Sequence, residues 1–484
     1  MVDKIKKLEK ISTKLELKPE KRKAWNQAVQ NYIEDFLENF NKQYTFQVSE
    51  DLGKGIVDVP IEENGKPMAY LLEQLKKHVD TPNLNPASGG HFGYIPGGGV
   101  YTTALADYMA AATNRFTGIF YPCPGGVRME NHLIRWMCKM VGYPNTALGN
   151  LSSGGSIANL SAITTARDAK GIKARDIENC VIYLTHQAHH CVEKAFRIAG
   201  MREAVYRYIP VDDHFKMKTT VLEQQIVNDK EKGLKPFIVI GSAGTTNTGT
   251  IDPLEQIGLL ASEYDLWFHV DAAYGGFFML CPDKKAAFKG IERSDSLAID
   301  PHKGLFLSYG IGALLVKDVN ALYNTHKYTA DYLQDASPAD QDPSPSDLSP
   351  ELTRHFRGLR MWLSLQLLGI APFRAAMEEK ILLCHYFYQE IQKYGFEVGP
   401  FPDLSIAIFR YVPEAGMANN FNDRIVELIK QDGRIFFSST TLNGKYWIRF
   451  AVMSFRTHLE QVDLALHLLP KIAADLEKEN KLTQ

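Results

Sequence analysis

The sequence has few cysteines, little net charge and no long hydrophobic run. Its six cysteines form no Cys-x-x-Cys pair, which argues against a zinc ribbon or a dense disulfide framework. A formal net charge of −2 gives no general attraction to nucleic acid or to an anionic membrane. No apolar run reaches the length of a membrane span, and residues 1–23 lack the apolar core of a signal peptide. These absences favour a cytoplasmic protein with reduced thiols.

The chain of 484 residues is long enough for a large central domain with smaller flanking ones. We predict an N-terminal helical segment over residues 1–85, a large domain over 86–370 and a small C-terminal α+β domain over 371–484. Between residues 180 and 316, short apolar strands alternate with helices, which is typical of an α/β protein with a mostly parallel sheet. Ligands of such sheets bind at the carboxyl ends of the strands.

Two of the predicted strands end in side chains that suit one cofactor. The apolar run before Lys303 ends in a turn that presents this lysine, and the run Trp267–Val270 leads into Asp271. Burial should lower the pKa of the lysine and make its amine nucleophilic. A lysine that bonds an aldehyde and an aspartate that pairs with a ring nitrogen together suit pyridoxal phosphate.

Residues 149–160 contain a glycine-serine turn that opens a helix predicted over Ile157–Arg167. Free backbone N–H groups and the positive end of the helix dipole make such a turn a phosphate site. The turn is neither a P-loop nor a Gly-x-Gly-x-x-Gly motif, and simple helix capping is the alternative.

Three histidines lie within five residues, at 186, 189 and 190. A metal site would need a carboxylate or thiolate partner at rigid helical spacing, and no His-Glu-x-x-His pattern is present. We therefore expect no metal. One imidazole is expected to stack on a cofactor ring, while the others cap a helix or lie at the surface.

Two further segments are predicted to be loops. Residues 86–100 are rich in glycine, proline and aromatic residues, so they form either a connector or a pocket wall. Residues 328–350 contain four prolines and several acids, which excludes regular structure from residue 335 onward. A loop of this length in a compact protein is typical of a lid or of a disordered segment, and we expect a mobile lid.

Taken together, these motifs resemble the group II pyridoxal-phosphate-dependent amino acid decarboxylases, and most closely their aromatic L-amino acid branch. The resemblance extends over residues 30–465, with the motifs in the same order and spacing. It implies the fold of the type I pyridoxal-phosphate enzymes, pyridoxal phosphate as cofactor and an active site near a subunit boundary. The amphipathic N-terminal helices also need a surface to cover them, so we expect a homodimer.

The resemblance also implies roles for residues around the cofactor ring. Lys303 resembles the lysine that forms the internal Schiff base, and Asp271 resembles the partner of the pyridine nitrogen. Ala273 resembles the residue beneath the ring, and His189 the imidazole stacked on its other face. Thr246 resembles a polar contact to cofactor or substrate.

At the phosphate, Gly155 and Ser156 resemble the backbone clamp, with His302 as a further contact. Asp300 falls among the cofactor-binding positions, but animal aromatic enzymes have Asn there, and an acid beside a phosphate needs an explanation. Tyr332 resembles the loop tyrosine that reaches the reacting carbon, and is counted with Lys303, His189 and Asp271 as catalytic.

The predicted substrate wall consists of Phe92, Tyr94, Pro96 and Gly97. Gly97 stands where the animal enzymes have threonine, and Gly304 where the aromatic branch has tryptophan. The resulting hypothesis is decarboxylation of an L-amino acid, aromatic in view of this wall, to its amine and CO2. The alternatives are a decarboxylase of aspartate, glutamate or cysteine sulfinate, an aldehyde synthase in which oxygen traps the carbanion, and a cofactor-binding protein without catalysis.

Overall fold

The computed structural model describes residues 1–95, 97–327, 342–414 and 416–482. Its α-helices, in chain order, are α1 (Val2–Ser12), α2 (Pro19–Glu38), α3 (Met68–Leu75), α4 (Thr102–Thr113), α5 (Pro124–Val141), α6 (Gly155–Ala169), α7 (His190–Ile198), α8 (Thr219–Glu231), α9 (Leu254–Glu263), α10 (Pro301–Gly304), α11 (Val319–His326), α12 (Gly358–Leu368), α13 (Ala371–Gln392), α14 (Ala418–Asp432) and α15 (Leu459–Leu482). Its strands are β1 (Phe46–Gln47), β2 (Asn83–Leu84), β3 (His91–Phe92), β4 (Leu148–Ser152), β5 (Cys180–Leu184), β6 (Val205–Tyr208), β7 (Lys235–Ser242), β8 (Trp267–Asp271), β9 (Ser296–Ile299), β10 (Gly312–Val316), β11 (Phe396–Val398), β12 (Ile406–Tyr411), β13 (Phe436–Leu442) and β14 (Lys445–Ala451).

The large domain is built on a seven-stranded sheet in the order β4-β10-β9-β8-β7-β5-β6. The strands from β9 to β6 pair in parallel, while β10 runs antiparallel to both of its neighbours. Every residue of β4, β5, β9 and β10 is buried, because helices cover both faces of the sheet. The predicted α/β architecture with a mostly parallel sheet is confirmed.

The small domain contains a five-stranded sheet in the order β11-β12-β14-β13-β3. Its edge strand β3 comes from residues 91–92, far upstream, and pairs in parallel with β13. Phe92 packs fully buried against Phe437 and Phe450 in the core of this sheet. The first residues of the predicted large domain therefore form a strand of the small-domain sheet, and the chain then returns to the large domain.

The N-terminal segment packs loosely on this chain. Helices α1, α2 and α3 have no buried residue, and apolar side chains such as Ile5, Leu8 and Ile33 are exposed. Within the described parts of the chain, no element buries the apolar faces of these three helices. In those same ranges, no helix is both long and apolar enough to cross a membrane.

The end of the predicted lid is well packed. The Asp342 carboxylate contacts Arg128 and Arg135 of α5, and Pro345 and Leu348 are buried. A single 3₁₀ turn spans Pro345–Asp347. This one turn contradicts the prediction that regular structure is excluded from residue 335 onward. The rest of residues 342–350 contains no helix or strand, although buried apolar contacts hold its backbone. Residues 328–341 lie outside the described ranges, so the lid prediction stays open there.

A buried ion pair anchors β4 to the segment before α12. Glu130 Oε1 lies 2.8 Å from Arg354 Nη1, and both side chains are almost fully buried. The same carboxylate accepts the N–H of Leu151, and the Arg354 guanidinium donates to the Leu151 carbonyl. The pair therefore fixes the strand that leads into the glycine-serine turn.

Glu130→Gln should lower the free energy of unfolding by about 3–5 kcal/mol, because it leaves the Arg354 charge buried and unpaired. Chemical denaturation of the two proteins measures the difference. Asp35→Asn is the matched control, since it breaks an exposed contact with Lys76 and should leave the free energy of unfolding essentially unchanged. Equal stability of Glu130→Gln and the parent would contradict a structural role for the pair.

Candidate active site

A cavity of about 410 Å³ lies at the carboxyl ends of the parallel strands, next to the start of α6. It is the place that the strand order predicts for a ligand. Its walls bring together nine predicted site residues: Gly155, Ser156, His189, Thr246, Asp271, Ala273, Asp300, His302 and Lys303. Residues from five separate segments thus converge on one site.

Asp271 is held in place at the end of β8 by two donors. Asn159 Nδ2 donates to Asp271 Oδ2 over 3.3 Å, and the backbone N–H of Ala273 donates to Oδ1 over 3.1 Å. The Asn159 amide is itself fixed, because its Oδ1 lies 2.7 Å from His269 Nε2. Both Asn159 and His269 are fully buried, so the carboxylate has a fixed orientation toward the cavity.

The imidazole of His269 completes this chain of hydrogen bonds. Its Nδ1 lies 2.8 Å from Ser296 Oγ, which also accepts from the indole of Trp267. The Ser296 hydroxyl can then donate to Nδ1, which leaves the ring proton on Nε2 to be donated to Asn159. Burial lowers the pKa of His269 to about 4, so the ring is neutral at physiological pH.

The glycine-serine turn leads directly into α6, whose N-terminus faces the cavity. A Cβ atom at Gly155 would lie 3.0 Å from Asp300 Oδ2 and 3.2 Å from Ala273 Cβ, so a larger residue would crowd the site. The helix dipole and the first backbone N–H groups of a 15-residue helix favour an anion at this position. These features suit the predicted phosphate site.

Lys303 follows β9 on the short helix α10, and its Nζ lies 3.1 Å from Asp300 Oδ2. Burial alone disfavours the charged amine, but the Asp300 and Asp271 carboxylates outweigh it and raise the pKa of Lys303 above its ordinary value. The prediction of a lowered pKa was wrong for the cofactor-free protein. Sequence reasoning considered burial and overlooked the carboxylate three residues upstream.

His189 caps α7, and its Nδ1 accepts the N–H of Cys191 over 3.3 Å. The proton of the neutral ring is therefore on Nε2. Burial lowers the pKa of His189, which favours this neutral form.

The other two histidines of this segment lie away from the cavity. His186 stacks on Tyr208 with ring centroids 4.1 Å apart, and His190 lines a separate surface groove. Among the described residues, no group of three or more histidines, cysteines or acids could hold a metal ion.

Thr246 is held by the small domain through Arg449 of β14. The Arg449 guanidinium donates to the carbonyls of Thr246 and Asn247 and, over 2.6 Å, to Ser438 Oγ. Burial lowers the pKa of Arg449 to about 10. This residue was missed from the sequence, because an arginine in a β-strand gives no sign of the loop it will contact.

The predicted substrate wall is only partly near the cavity. Phe92 has no exposed surface, so it cannot touch a substrate and instead supports the small-domain core; that prediction was wrong. Tyr94 is 58% exposed, and its backbone N–H donates to Ser438 Oγ. Pro96, like Tyr332, lies outside the described residues.

The two glycines that differ from the family pattern lie in close backbone contacts. A Cβ at Gly97 would come within 2.2 Å of the His302 carbonyl oxygen, and one at Gly304 within 2.6 Å of Phe277 Cβ. Neither position has room for a larger side chain. The loop around Gly97 therefore packs directly on the turn that presents Lys303.

These residues fit pyridoxal phosphate. The start of α6 suits its phosphate, the fixed Asp271 carboxylate suits a protonated ring nitrogen, and the small Ala273 leaves space for a flat ring. The Asp300 carboxylate at the edge of the same site is the exception, because its charge does not suit a phosphate, and its Oδ1 is buried without a hydrogen-bond partner among the described residues. Asn159 was also missed from the sequence, although a polar residue within an Ala- and Leu-rich helix was a usable signal.

Comparison with known proteins gives the same answer. Residues 54–412 match the model of the pyridoxal-dependent decarboxylase conserved domain. The chain is 33% identical over 476 residues to an aromatic-L-amino-acid decarboxylase of Bacillus atrophaeus, covering 97% of this chain and 98% of that protein. It is 28% identical over 427 residues to a phenylacetaldehyde synthase of Petunia hybrida, covering 84% of each chain.

Among solved structures, Oryza sativa TDC with PLP and tryptamine superposes with a TM-score of 0.89 at 23% identity, covering 95% of this chain and 99% of that chain. The fold is therefore shared along nearly the whole chain. The chain belongs to the pyridoxal-dependent decarboxylase family, in its aromatic-L-amino-acid branch, and is a carboxy-lyase with pyridoxal phosphate as its cofactor.

Proposed function

We propose that this enzyme decarboxylates an aromatic L-amino acid to its amine and CO2, as a cytoplasmic homodimer. The observation that carries the proposal is the convergence of Lys303, Asp271 and His189 on one cavity beside a helix N-terminus. The substrate class is supported by the similarity to the Bacillus atrophaeus enzyme over nearly the full length of both chains.

In this mechanism, pyridoxal phosphate supplies an electron sink for the carbanion that loss of CO2 leaves behind. Lys303 would hold the cofactor covalently and release it to the substrate amine. Asp271, fixed by Asn159 and the Ala273 N–H, would keep a proton on the pyridine nitrogen. His189 would lie against the ring and can donate from Nε2, and the start of α6 would bind the phosphate.

The charges around the cavity favour an aromatic over an acidic substrate. An acidic side chain would need a cation to pair with its second carboxylate. In the described part of the chain, the cavity wall contains one lysine, Lys303, and no arginine. Arg449 lies nearby, but it is only 4% exposed and already donates to three oxygen atoms, so it presents little free surface to a substrate carboxylate.

Exposed apolar side chains support the homodimer. They occur on α1 and also on α4, where Tyr108 and Met109 are 63% and 48% exposed. Tyr101, which directly precedes α4, is exposed as well. A second copy of the chain that covers these faces would bury this apolar area. A cytoplasmic location is supported by the six free cysteines, five of which are buried.

A substrate panel with separate detection of CO2, amine, aldehyde and peroxide tests the proposal. We expect tryptophan, tyrosine or phenylalanine analogues to give amine and CO2 in equal amounts, with kcat/KM at least about 100-fold above that for aspartate, glutamate or cysteine sulfinate. A discrimination of that size corresponds to about 2.7 kcal/mol of differential transition-state binding. Preference for an acidic substrate would contradict the proposal, and stoichiometric aldehyde and peroxide would support an aldehyde synthase.

The same panel applied to Tyr332→Phe examines the proton donor that the family resemblance implies. A phenol can donate a proton to the carbanion and a phenyl ring of nearly equal volume cannot. Decarboxylase chemistry predicts that amine formation falls sharply while CO2 release persists, with aldehyde and peroxide under air. Amine at the parent rate would make His189 the next candidate donor.

A further inference from the structure

The phosphate side of the cavity contains a carboxylate that the mechanism above does not use. Asp300 is 1% exposed, its Oδ2 lies 3.1 Å from Lys303 Nζ, and its Oδ1 has no hydrogen-bond partner among the described residues. Two glycines allow the backbone to pack closely against this carboxylate. A Cβ at Gly312 would lie 2.5 Å from Asp300 Oδ1, and a Cβ at Gly155 would lie 3.0 Å from Asp300 Oδ2. The carboxylate therefore borders the phosphate cradle directly.

The charge of Asp300 opposes a phosphate at this place. Two anions in a partly desolvated site repel each other, so the pair is tolerated only with cations or protons between them. The nearest cation is Lys303, which is also the amine that must become neutral before it can react with an aldehyde. Lys303 thus balances the negative charge of Asp300 and is also the lysine that would bond the cofactor.

The other titratable groups around Asp300 do not replace this lysine. His302 Nδ1 donates to the Ile311 carbonyl over 2.5 Å, and its Nε2 lies 3.7 Å from Asp300 Oδ2, beyond hydrogen-bond range. His189 and Asp271 line the same cavity, and the Asp271 carboxylate adds a second negative charge that acts on Lys303. Cys191 and Tyr309 line the same cavity, and the glycines Gly155 and Gly312 pack against the Asp300 carboxylate.

We propose that Asp300 is a positioning residue that holds Lys303 as an ammonium ion at the phosphate cradle of the cofactor-free protein, so that this ion pair must separate when the cofactor is loaded. The inference rests on the proposed role of Lys303 as the cofactor lysine. Asp300 then weakens the binding of any phosphate-bearing ligand. It also raises the pH at which the Lys303 amine becomes reactive, in keeping with the raised pKa of this lysine.

The test uses Asp300→Asn, which keeps the shape of the side chain and removes its charge. In cofactor-free protein, pulsed amine modification followed by mass spectrometry gives the pH profile of Lys303. We expect the midpoint in the parent to lie above about 10.4, the ordinary value for lysine. In Asp300→Asn it should fall by at least one pH unit, while the profile of Lys284, which contacts the Asp403 carbonyl, is unchanged.

A second measurement isolates the phosphate. Pyridoxamine phosphate and pyridoxamine have no aldehyde, so titration of the cofactor-free proteins compares binding with and without a phosphate. Asp300→Asn should bind pyridoxamine phosphate at least tenfold more tightly at pH 8 and pyridoxamine within twofold of the parent. An unchanged Lys303 profile, or equal or weaker binding of pyridoxamine phosphate, would overturn the inference.

Borohydride reduction with pyridoxal phosphate distinguishes a failure of the role proposed for Asp300 from a failure of the assignment of Lys303 as the cofactor lysine. If the label is on Lys303 in both proteins and the profile does not move, only the role of Asp300 fails. If the label is on another lysine, the proposed assignment of the site fails, whatever the profile shows. If Asp300→Asn folds poorly, the pH profile of Lys303 in the parent protein is a sufficient test. A midpoint at or below about 10.4 in that profile contradicts the ion pair.

Discussion

Asp271→Asn should lower kcat by several orders of magnitude while weakening cofactor binding much less. The substitution keeps the size of the side chain and removes the anion that would keep the pyridine nitrogen protonated. Without that proton the ring is a poor electron sink, so the transition state loses stabilisation that the bound ground state does not. Steady-state kinetics give kcat, and titration of the cofactor-free protein gives the dissociation constant for pyridoxal phosphate.

A matched control is Asp295→Asn. The Asp295 carboxylate also accepts a backbone N–H of β8, that of Phe268, but it lies at the other end of the strand and does not line the cavity. We expect kcat of Asp295→Asn to stay within a few fold of the parent. A similar kcat for Asp271→Asn and the parent would show that ring protonation is not maintained by Asp271.

Lys303→Arg should abolish steady-state turnover to within the detection limit. Arginine keeps a positive charge for Asp300, so the buried carboxylate stays paired, but a guanidinium is not deprotonated in proteins and cannot act as the nucleophilic amine. The loss therefore reports the missing amine and not a missing ion pair. Circular dichroism checks that the fold is kept, and turnover within tenfold of the parent would contradict the assignment.

Lys284→Arg provides the control for lysine replacement in general. Lys284 is half-buried and donates to the Asp403 carbonyl, away from the cavity. Its replacement should leave both turnover and the cofactor absorbance unchanged. The contrast between the two lysines tests whether the effect is specific to the end of β9.

The framework of the large domain could be predicted because its signals are local. The runs that become β5, β7 and β10 are short and apolar, and helix-forming segments separate them. Once a parallel sheet is expected, the residues that follow its strands must meet at one edge. For that reason Asp271, Thr246 and Lys303 could be assigned to one site from the sequence.

Most of what could not be predicted depends on contacts between distant segments. The pairing of β3 with β13 joins residues 91 and 436, and no local pattern indicates it. The Arg449 contact with Thr246 crosses from one domain to the other. The raised pKa of Lys303 is a balance between burial and two carboxylates, and its sign depends on distances that periodicity cannot supply.

The most direct test of the central claim is the chemical identification of the cofactor lysine. The purified enzyme should be yellow, and reduction with borohydride followed by proteolysis and mass spectrometry should find the pyridoxyl label on Lys303. The account predicts one labelled peptide, containing the sequence Asp-Pro-His-Lys of residues 300–303. A label on any other lysine, with Lys303 unmodified, would contradict the whole assignment of the site.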